Sequence, residues 1–167
     1  MHDELTKTDL EKMKAELDER RLKLMPELIE EVKRTRAFGD LSENYEYKAA
    51  KQAQNRNKGR IRYLEKMIES AKIIEDTSAE DEVGLYDKVE LYMEEDDELT
   101  TVQVVTTVRC DPLKGLISKE SPLGEKLLGK RVGDRFTVQV NENYSYTAVV
   151  KSIKKGEDDG SAQLLQY

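Results

Sequence analysis

From Tyr47 to Ala71, the residues Tyr47, Ala50, Gln54, Asn57, Ile61, Leu64, Ile68 and Ala71 follow one another at alternating steps of three and four. That spacing puts all of them on one narrow face of an α-helix, the face a second helix covers in a coiled coil. A stripe of this kind cannot be buried by its own helix. A partner lies just upstream, where Leu10, Met13, Leu17, Leu24, Leu28 and Val32 recur at steps of three, four or their sum. Two helices separated by only a few residues around Gly39 must run antiparallel. The pattern therefore predicts a helical hairpin, its first arm over residues 8–36. At ~1.5 Å per residue, an arm of about 30 residues reaches ~45 Å.

Local signals add detail. Thr8 fits an N-cap, with Glu11 three residues later closing a capping box. Pro26 sits inside the first stripe, removes one helical hydrogen bond and predicts a bend near residues 21–22. Gln54 and Asn57 make the middle of the seam polar.

Beyond the hairpin the period changes. Residues 75–83, EDTSAEDEV, carry no helical stripe and read as a linker. Lys88–Met93 then alternates, residues 94–98 form an acidic turn, and residues 100–108 are rich in β-branched side chains. A short strand fits residues 115–118. Ser121-Pro122 opens a helix that Gly129 closes. Residues 135–140 and 144–153 form a β-hairpin around 141–143. The fold class is α+β: a long antiparallel coiled-coil hairpin (1–76), an antiparallel sheet domain with one short helix (83–155) and a loose tail (156–167).

Composition limits the chemistry. His2 and Cys110 are the only histidine and cysteine, which excludes an intrachain disulfide, a Cys/His zinc site and His-based catalysis. A metal would have to be held by carboxylates, which favours Mg²⁺ or Mn²⁺. Residues 1–78 hold 17 basic and 17 acidic side chains, so the net charge of −7 lies in the rest. An acidic half repels bare nucleic acid, so contact with nucleic acid needs a local patch or a protein partner. No apolar run approaches membrane length, and a cytoplasmic location is expected.

The candidate site is the loop between the arms, RAFGDLSENYEYKAA from Arg36. Asp40 and Glu43 admit two readings. An Asp-x-x-Glu pair beside a helix start is a common cap. Alternatively, two carboxylates at the end of a stalk could complete the coordination of a Mg²⁺ held inside another molecule. Behind them Lys48, Lys51, Arg56, Lys58, Arg60, Arg62 and Lys66 stand against a single acid, Glu65. They form either a face that approaches phosphates or an ordinary solvated helix face.

The stretches GDLSENYEYKAAK and GRIRYLEKMIESAKIIED, followed by ISKESPLGEKLLGKRVGDRFTV, resemble the bacterial transcript-cleavage factors of the Gre family, in order and in spacing. The resemblance implies a transcription elongation factor that is not itself an enzyme. Its coiled coil would enter the secondary channel of RNA polymerase. Asp40 and Glu43 would help hold a Mg²⁺ shared with the polymerase, with none bound by the free protein. The polymerase would then cleave the 3′ end of a backtracked RNA. Arg36, Lys48, Lys51 and Arg56 would steer that RNA within the transcription complex and its DNA. The second domain would be FKBP-like and dock on the polymerase, and the factor would act as a monomer, away from membranes.

Two rivals remain. One is a Gre-like factor that modulates or inhibits polymerase without cleavage, although the intact DLSEN argues against that branch. The other is a prolyl isomerase or chaperone-type module. An isomerase pocket needs aromatic walls, and the chain has no Trp and only Phe38 and Phe136 as phenylalanines.

Overall fold

The structure is a computed structural model that describes residues 4–39 and 44–166. In chain order it contains β1 (Glu4–Leu5), α1 (Lys7–Glu19), a π-helical turn (Arg20–Leu24), α2 (Met25–Arg36), α3 (Tyr45–Glu69) and β2 (Lys72–Ile73). There follow β3 (Lys88–Met93), β4 (Glu98–Val105), β5 (Leu116–Ser118), α4 (Pro122–Leu127), β6 (Arg135–Asn141) and β7 (Tyr144–Lys154). Two compact units result: Leu10–Lys72, and a second made of the residues up to Asp9 together with Ile73–Gln166.

In the first unit the expected seam forms. Met13 and Leu17 are buried on α1, and Ala50, Gln54, Asn57 and Leu64 on α3. Ile61 and Ile68 are only partly covered, and Arg60 and Met67 are buried instead. Where a bend was expected near Pro26, the first arm departs from the α-helix in a single π turn. Pro26 cannot donate a hydrogen bond, and the helix answers with the π turn just before it, where the Met25 N–H donates to the Arg20 carbonyl five residues back.

The polar middle of the seam is bonded across the arms. Arg20 Nη1 donates to Asn57 Oδ1 (3.1 Å), and Arg60 donates through Nε and Nη2 to the two oxygens of Glu16 (2.9 and 3.0 Å). Burial works against the ionised Glu16, but hydrogen bonds from Arg60 and Arg20, with their charges, outweigh it and hold this carboxyl below the usual range.

The second unit is built on a five-stranded sheet in the order β5-β4-β3-β7-β6. The short β5 runs parallel to β4, so the sheet is mixed where a purely antiparallel one was expected. A tight hairpin cannot make a parallel pair. Here the chain returns through two single-turn 3₁₀ segments, Thr107–Arg109 and Pro112–Lys114. The central strand β3 alternates as its sequence predicts, with Val89 and Leu91 buried. They pack with Val104, Phe136, Val138 and Val150, and with Leu127 of α4. Each fully buried Val or Leu contributes about 1.5–3 kcal/mol. Ser121 caps α4 as expected, its Oγ accepting from the Gly124 N–H at 3.0 Å.

Two further expectations are corrected in this unit. The capping box of α1 is Thr6 with Asp9, not Thr8 with Glu11: Thr6 N–H donates to Asp9 Oδ2 (2.9 Å) and Asp9 N–H to Thr6 Oγ1 (3.2 Å). The end of the chain has no regular secondary structure, yet it is fastened rather than loose. Arg109, fully buried, donates to Asp9 Oδ1 (2.9 Å), to both oxygens of Asp158 (2.8 and 3.0 Å) and to the Ala162 carbonyl (2.7 Å). Leu165 N–H adds a bond to the Val108 carbonyl at 2.8 Å. Residues 78–82 are likewise held. Lys155 Nζ donates to Ser78 Oγ and to the carbonyls of Ala79 and Glu82, while pairing with the buried Asp87 at 2.7 Å.

Candidate functional site

The loop between the arms is organised by Asn44. Its backbone is non-helical, and its Oδ1 accepts from the Tyr47 N–H at 3.0 Å, which makes it the N-cap of α3. Its Nδ2 reaches the other arm and donates to the Thr35 carbonyl at 2.6 Å. One amide thus caps the helix that begins and satisfies a carbonyl of the helix that ends. Thr35 is itself buried and donates to the Glu31 carbonyl one turn earlier (2.8 Å). The Phe38 N–H also bonds to the Thr35 carbonyl (3.2 Å). The chain then turns at Gly39, whose φ of +103° suits a residue with no Cβ.

Asp40 and Glu43 lie outside the described residues. What the structure settles nearby is the cap. The N-cap position of α3 belongs to Asn44, four residues past Asp40, which is the position the capping reading would have filled with an acid.

Two exposed aromatics flank the loop, and each carries a cation on its ring. Arg34 lies over Phe38 (5.2 Å to the centroid) and Lys48 over Tyr45 (5.6 Å). Arg34 is steadied by two hydrogen bonds to Glu31 (2.6 and 2.9 Å), and these hold the Glu31 carboxyl below its ordinary range. Phe38 is 56% exposed and Tyr45 80%. Aromatic faces left in solvent beside cations are suited to stacking on bases.

The basic residues do not share one face. Arg36 is the exposed last residue of α2. Lys48 and Lys51 are exposed on the first turns of α3, and Lys51 Nζ donates to Gln54 at 3.1 Å. At 3.6 residues per turn, Lys51 and Arg56 lie about 140° apart around the helix. Arg56 therefore flanks the seam, while Lys48, Lys51, Lys58, Arg62 and Lys66 form the outer stripe. Arg60 leaves the expected stripe altogether: it is buried in the seam on Glu16.

Sequence reasoning missed Asn44, Asp9 and Arg109. Asn44 was visible as a preferred capping residue just ahead of the second stripe. Nothing local marks the pairing of Asp9 with Arg109, which are 100 residues apart. Among the described residues, no group of three or more His, Cys, Asp or Glu side chains could hold a metal, and no helix is long and apolar enough to cross a membrane.

Comparison with known proteins covers almost the whole chain. The family model "Transcription elongation factor, N-terminal" matches residues 4–73, and "Transcription elongation factor, GreA/GreB, C-term" matches residues 78–155. Transcription elongation factor GreA of Lactococcus lactis subsp. cremoris is 40% identical over 148 residues, which are 88% of this chain and 95% of that protein. GreA of Bacillus licheniformis is 39% identical over 148 residues, 88% of this chain and 94% of that protein. Among solved structures, the GreA factor homolog 1 protein of Thermus thermophilus is 30% identical over 93% of this chain and 100% of that one, with a TM-score of 0.42.

Proposed function

Because the chain belongs to the GreA/GreB transcription elongation factor family, we propose that it binds RNA polymerase, presents its hairpin tip in the secondary channel and stimulates cleavage of the 3′ end of backtracked RNA. In this reading it is an accessory factor and the polymerase performs the hydrolysis. The observation that carries the reading is the cap. Asn44 fills the N-cap position of α3 and bonds one carbonyl at the end of α2, so neither Asp40 nor Glu43 has to serve as the N-cap of α3.

Asp40 and Glu43 would each give a carboxylate to a Mg²⁺ whose other ligands come from the polymerase. Two carboxylates are too few for a site of their own, which fits a shared ion better than a resident one. Such an ion supplies Lewis-acid polarisation and lowers the pKa of bound water. The chain's own contribution is placement: the Asn44 clamp fixes the base of the loop, Phe38 and Tyr45 offer faces for an extruded base, and Arg36, Lys48 and Lys51 attract its phosphates. Arg56, on the other flank of α3, belongs to this steering set only if the RNA wraps the hairpin.

A stalled elongation complex with labelled RNA tests the proposal. Asp40→Asn and Glu43→Gln should each lower stimulated cleavage on the order of tenfold or more, while binding and melting temperature stay at wild-type values. Added Mg²⁺ should restore part of the loss, by raising metal occupancy. Wild-type protein that binds polymerase without stimulating cleavage would place it with factors that modulate polymerase in another way. Full activity in Asp40→Asn would remove the metal role of the tip.

A further inference from the structure

The tail is fastened to the rest of the sheet unit at its root, its middle and its end. At the root, Lys155 Nζ pairs with Asp87 Oδ2 (2.7 Å) and the Gly156 N–H donates to Asp87 Oδ1 (2.9 Å). In the middle, Asp158 and the Ala162 carbonyl accept from Arg109. At the end, the Leu165 N–H donates to the Val108 carbonyl (2.8 Å). A turn brings the two middle acceptors to one guanidinium. Gly160 has a φ of +75°, its N–H donates to Asp158 Oδ1 (3.0 Å), and the Ser161 N–H donates to Asp159 Oδ1 (2.8 Å). From Gly156 onward these residues lie beyond both family matches, the second of which ends at residue 155.

Arg109 also reaches the start of α1. Its Nη1 is shared between Asp158 Oδ2 (3.0 Å) and Asp9 Oδ1 (2.9 Å). Asp9 is fully buried, and its other oxygen accepts from the Thr6 N–H (2.9 Å) to close the capping box. Thr6, Asp9 and the tail all belong to one compact unit. Of the four hydrogen bonds that Arg109 donates, three go to the tail and one to Asp9. If the tail lifts, Arg109 loses those three acceptors together and water reaches it. An ion pair open to water is worth little, so the hold on Asp9 weakens. The buried carboxylate then loses the cation that offsets its burial.

We infer that residues 156–165 are a strap that controls the first turn of α1. While the strap is closed, Arg109 holds the capping box; when the strap opens, the box loosens. Such a link is reciprocal, so weakening the box also loosens the strap. The opening is local, because it breaks bonds of the tail and of the capping box and leaves the ladders of the five-stranded sheet in place. By mass action, anything that binds the open strap loosens the start of the first arm. The strap does not depend on the proposed cleavage role.

Amide hydrogen exchange of the full chain, read residue by residue by NMR, tests this. Asp158→Ala should speed exchange of the Leu165 amide and also, about fivefold or more, of the Thr6 amide. The Val150 amide, which bonds to the Asp134 carbonyl (2.9 Å), should keep its wild-type rate. Asp9→Asn should in turn speed the Leu165 amide while Val150 stays slow. If Asp158→Ala fails to fold, Asp158→Asn, which keeps the shape and removes the charge, decides on the same amides. A faster Leu165 amide with Thr6 unchanged means that the tail is merely anchored, and overturns the inference. A Thr6 amide that speeds only as much as Val150 overturns it too, since the whole fold is then less stable. So does a Leu165 amide that is indifferent to Asp9→Asn.

Discussion

Arg60 in the hairpin and Arg109 in the sheet unit are both buried, and the chain satisfies them differently. Arg60 has two donors on Glu16, lies over Tyr63 at 5.0 Å and leaves Nη1 unmatched. Arg109 places Nε, Nη1 and Nη2 on Asp9, Asp158 and the Ala162 carbonyl, and lies over Tyr86 at 5.7 Å. The difference follows from what surrounds each. In the helical seam most backbone carbonyls already accept a helical hydrogen bond, and Arg60 bonds only to the Glu16 carboxylate. Around Arg109 the carboxylates of Asp9 and Asp158 and the Ala162 carbonyl of the irregular chain end together take four hydrogen bonds. The difference lies in the acceptors on offer: Arg109 meets two carboxylates and one carbonyl, whereas Arg60 meets one carboxylate.

The largest effect should come from breaking the better-bonded site. Arg109→Leu would strand two carboxylates, Asp9 and Asp158, in a place fully or nearly closed to water. Removing one partner of a buried ionic group costs about 3–5 kcal/mol. Urea unfolding should show that loss. Hydrogen exchange should show early opening of the Leu165 amide, which bonds to Val108. A loss under about 1 kcal/mol would mean that Asp9 and Asp158 are not stranded when their arginine is removed.

Arg60→Met should cost less, about 1–2 kcal/mol. Glu16 keeps the bond from Arg20 (2.7 Å), so no carboxylate is stranded, and a donor that had no partner is removed with the side chain. Equal losses at Arg60 and Arg109 would erase the distinction drawn between them. A stabilised Arg60→Met would sharpen it, since the seam would then be tolerating this arginine for something other than stability.

How much of this was legible depends on the range of each interaction. The hairpin was readable because its stripe is local, and Ala50, Gln54, Asn57 and Leu64 are buried as the heptad count predicts. The count fails at Ile61 and Ile68, where Arg60 and Met67 are buried instead; the π turn adds a residue to one turn of the partner, and a strict period does not anticipate it. The strands of the second unit were readable from alternation and turn residues. The parallel pairing of β5 was not, because its register is fixed by two 3₁₀ turns. At the start of α1 two overlapping Thr-x-x-acid boxes compete, and the chain uses the earlier one. Its Asp9 also accepts from Thr106 Oγ1 at 2.7 Å and pairs with Arg109, contacts that no local pattern can show. At the tip the proposed site acids, Asp40 and Glu43, lie outside the described residues, and the asparagine that caps α3 was passed over because the acids beside it also fit a cap.

The smallest effect concerns Glu16 and acid. Its folded-state carboxyl titrates below its ordinary value of 4.5, because the two arginines outweigh burial. A carboxyl held low in the folded state stabilises the fold fully above its unfolded value, and that contribution fades as pH falls through the folded value. With solvent screening allowed for, the stake is a few tenths of a kcal/mol. Acid should destabilise the whole chain by more than this, since Glu31, Glu75, Glu94 and Asp159 are also held low by their partners. Those groups titrate alike in the wild type and in Glu16→Gln, so they cancel in the difference between the two. The gap in melting temperature between the two proteins should be constant from pH 7 down to about 5 and then narrow toward pH 3. If the gap is the same at pH 3 as at pH 7, the charge on Glu16 contributes nothing, and the arginines of the seam are held by the shape of its hydrogen bonds alone.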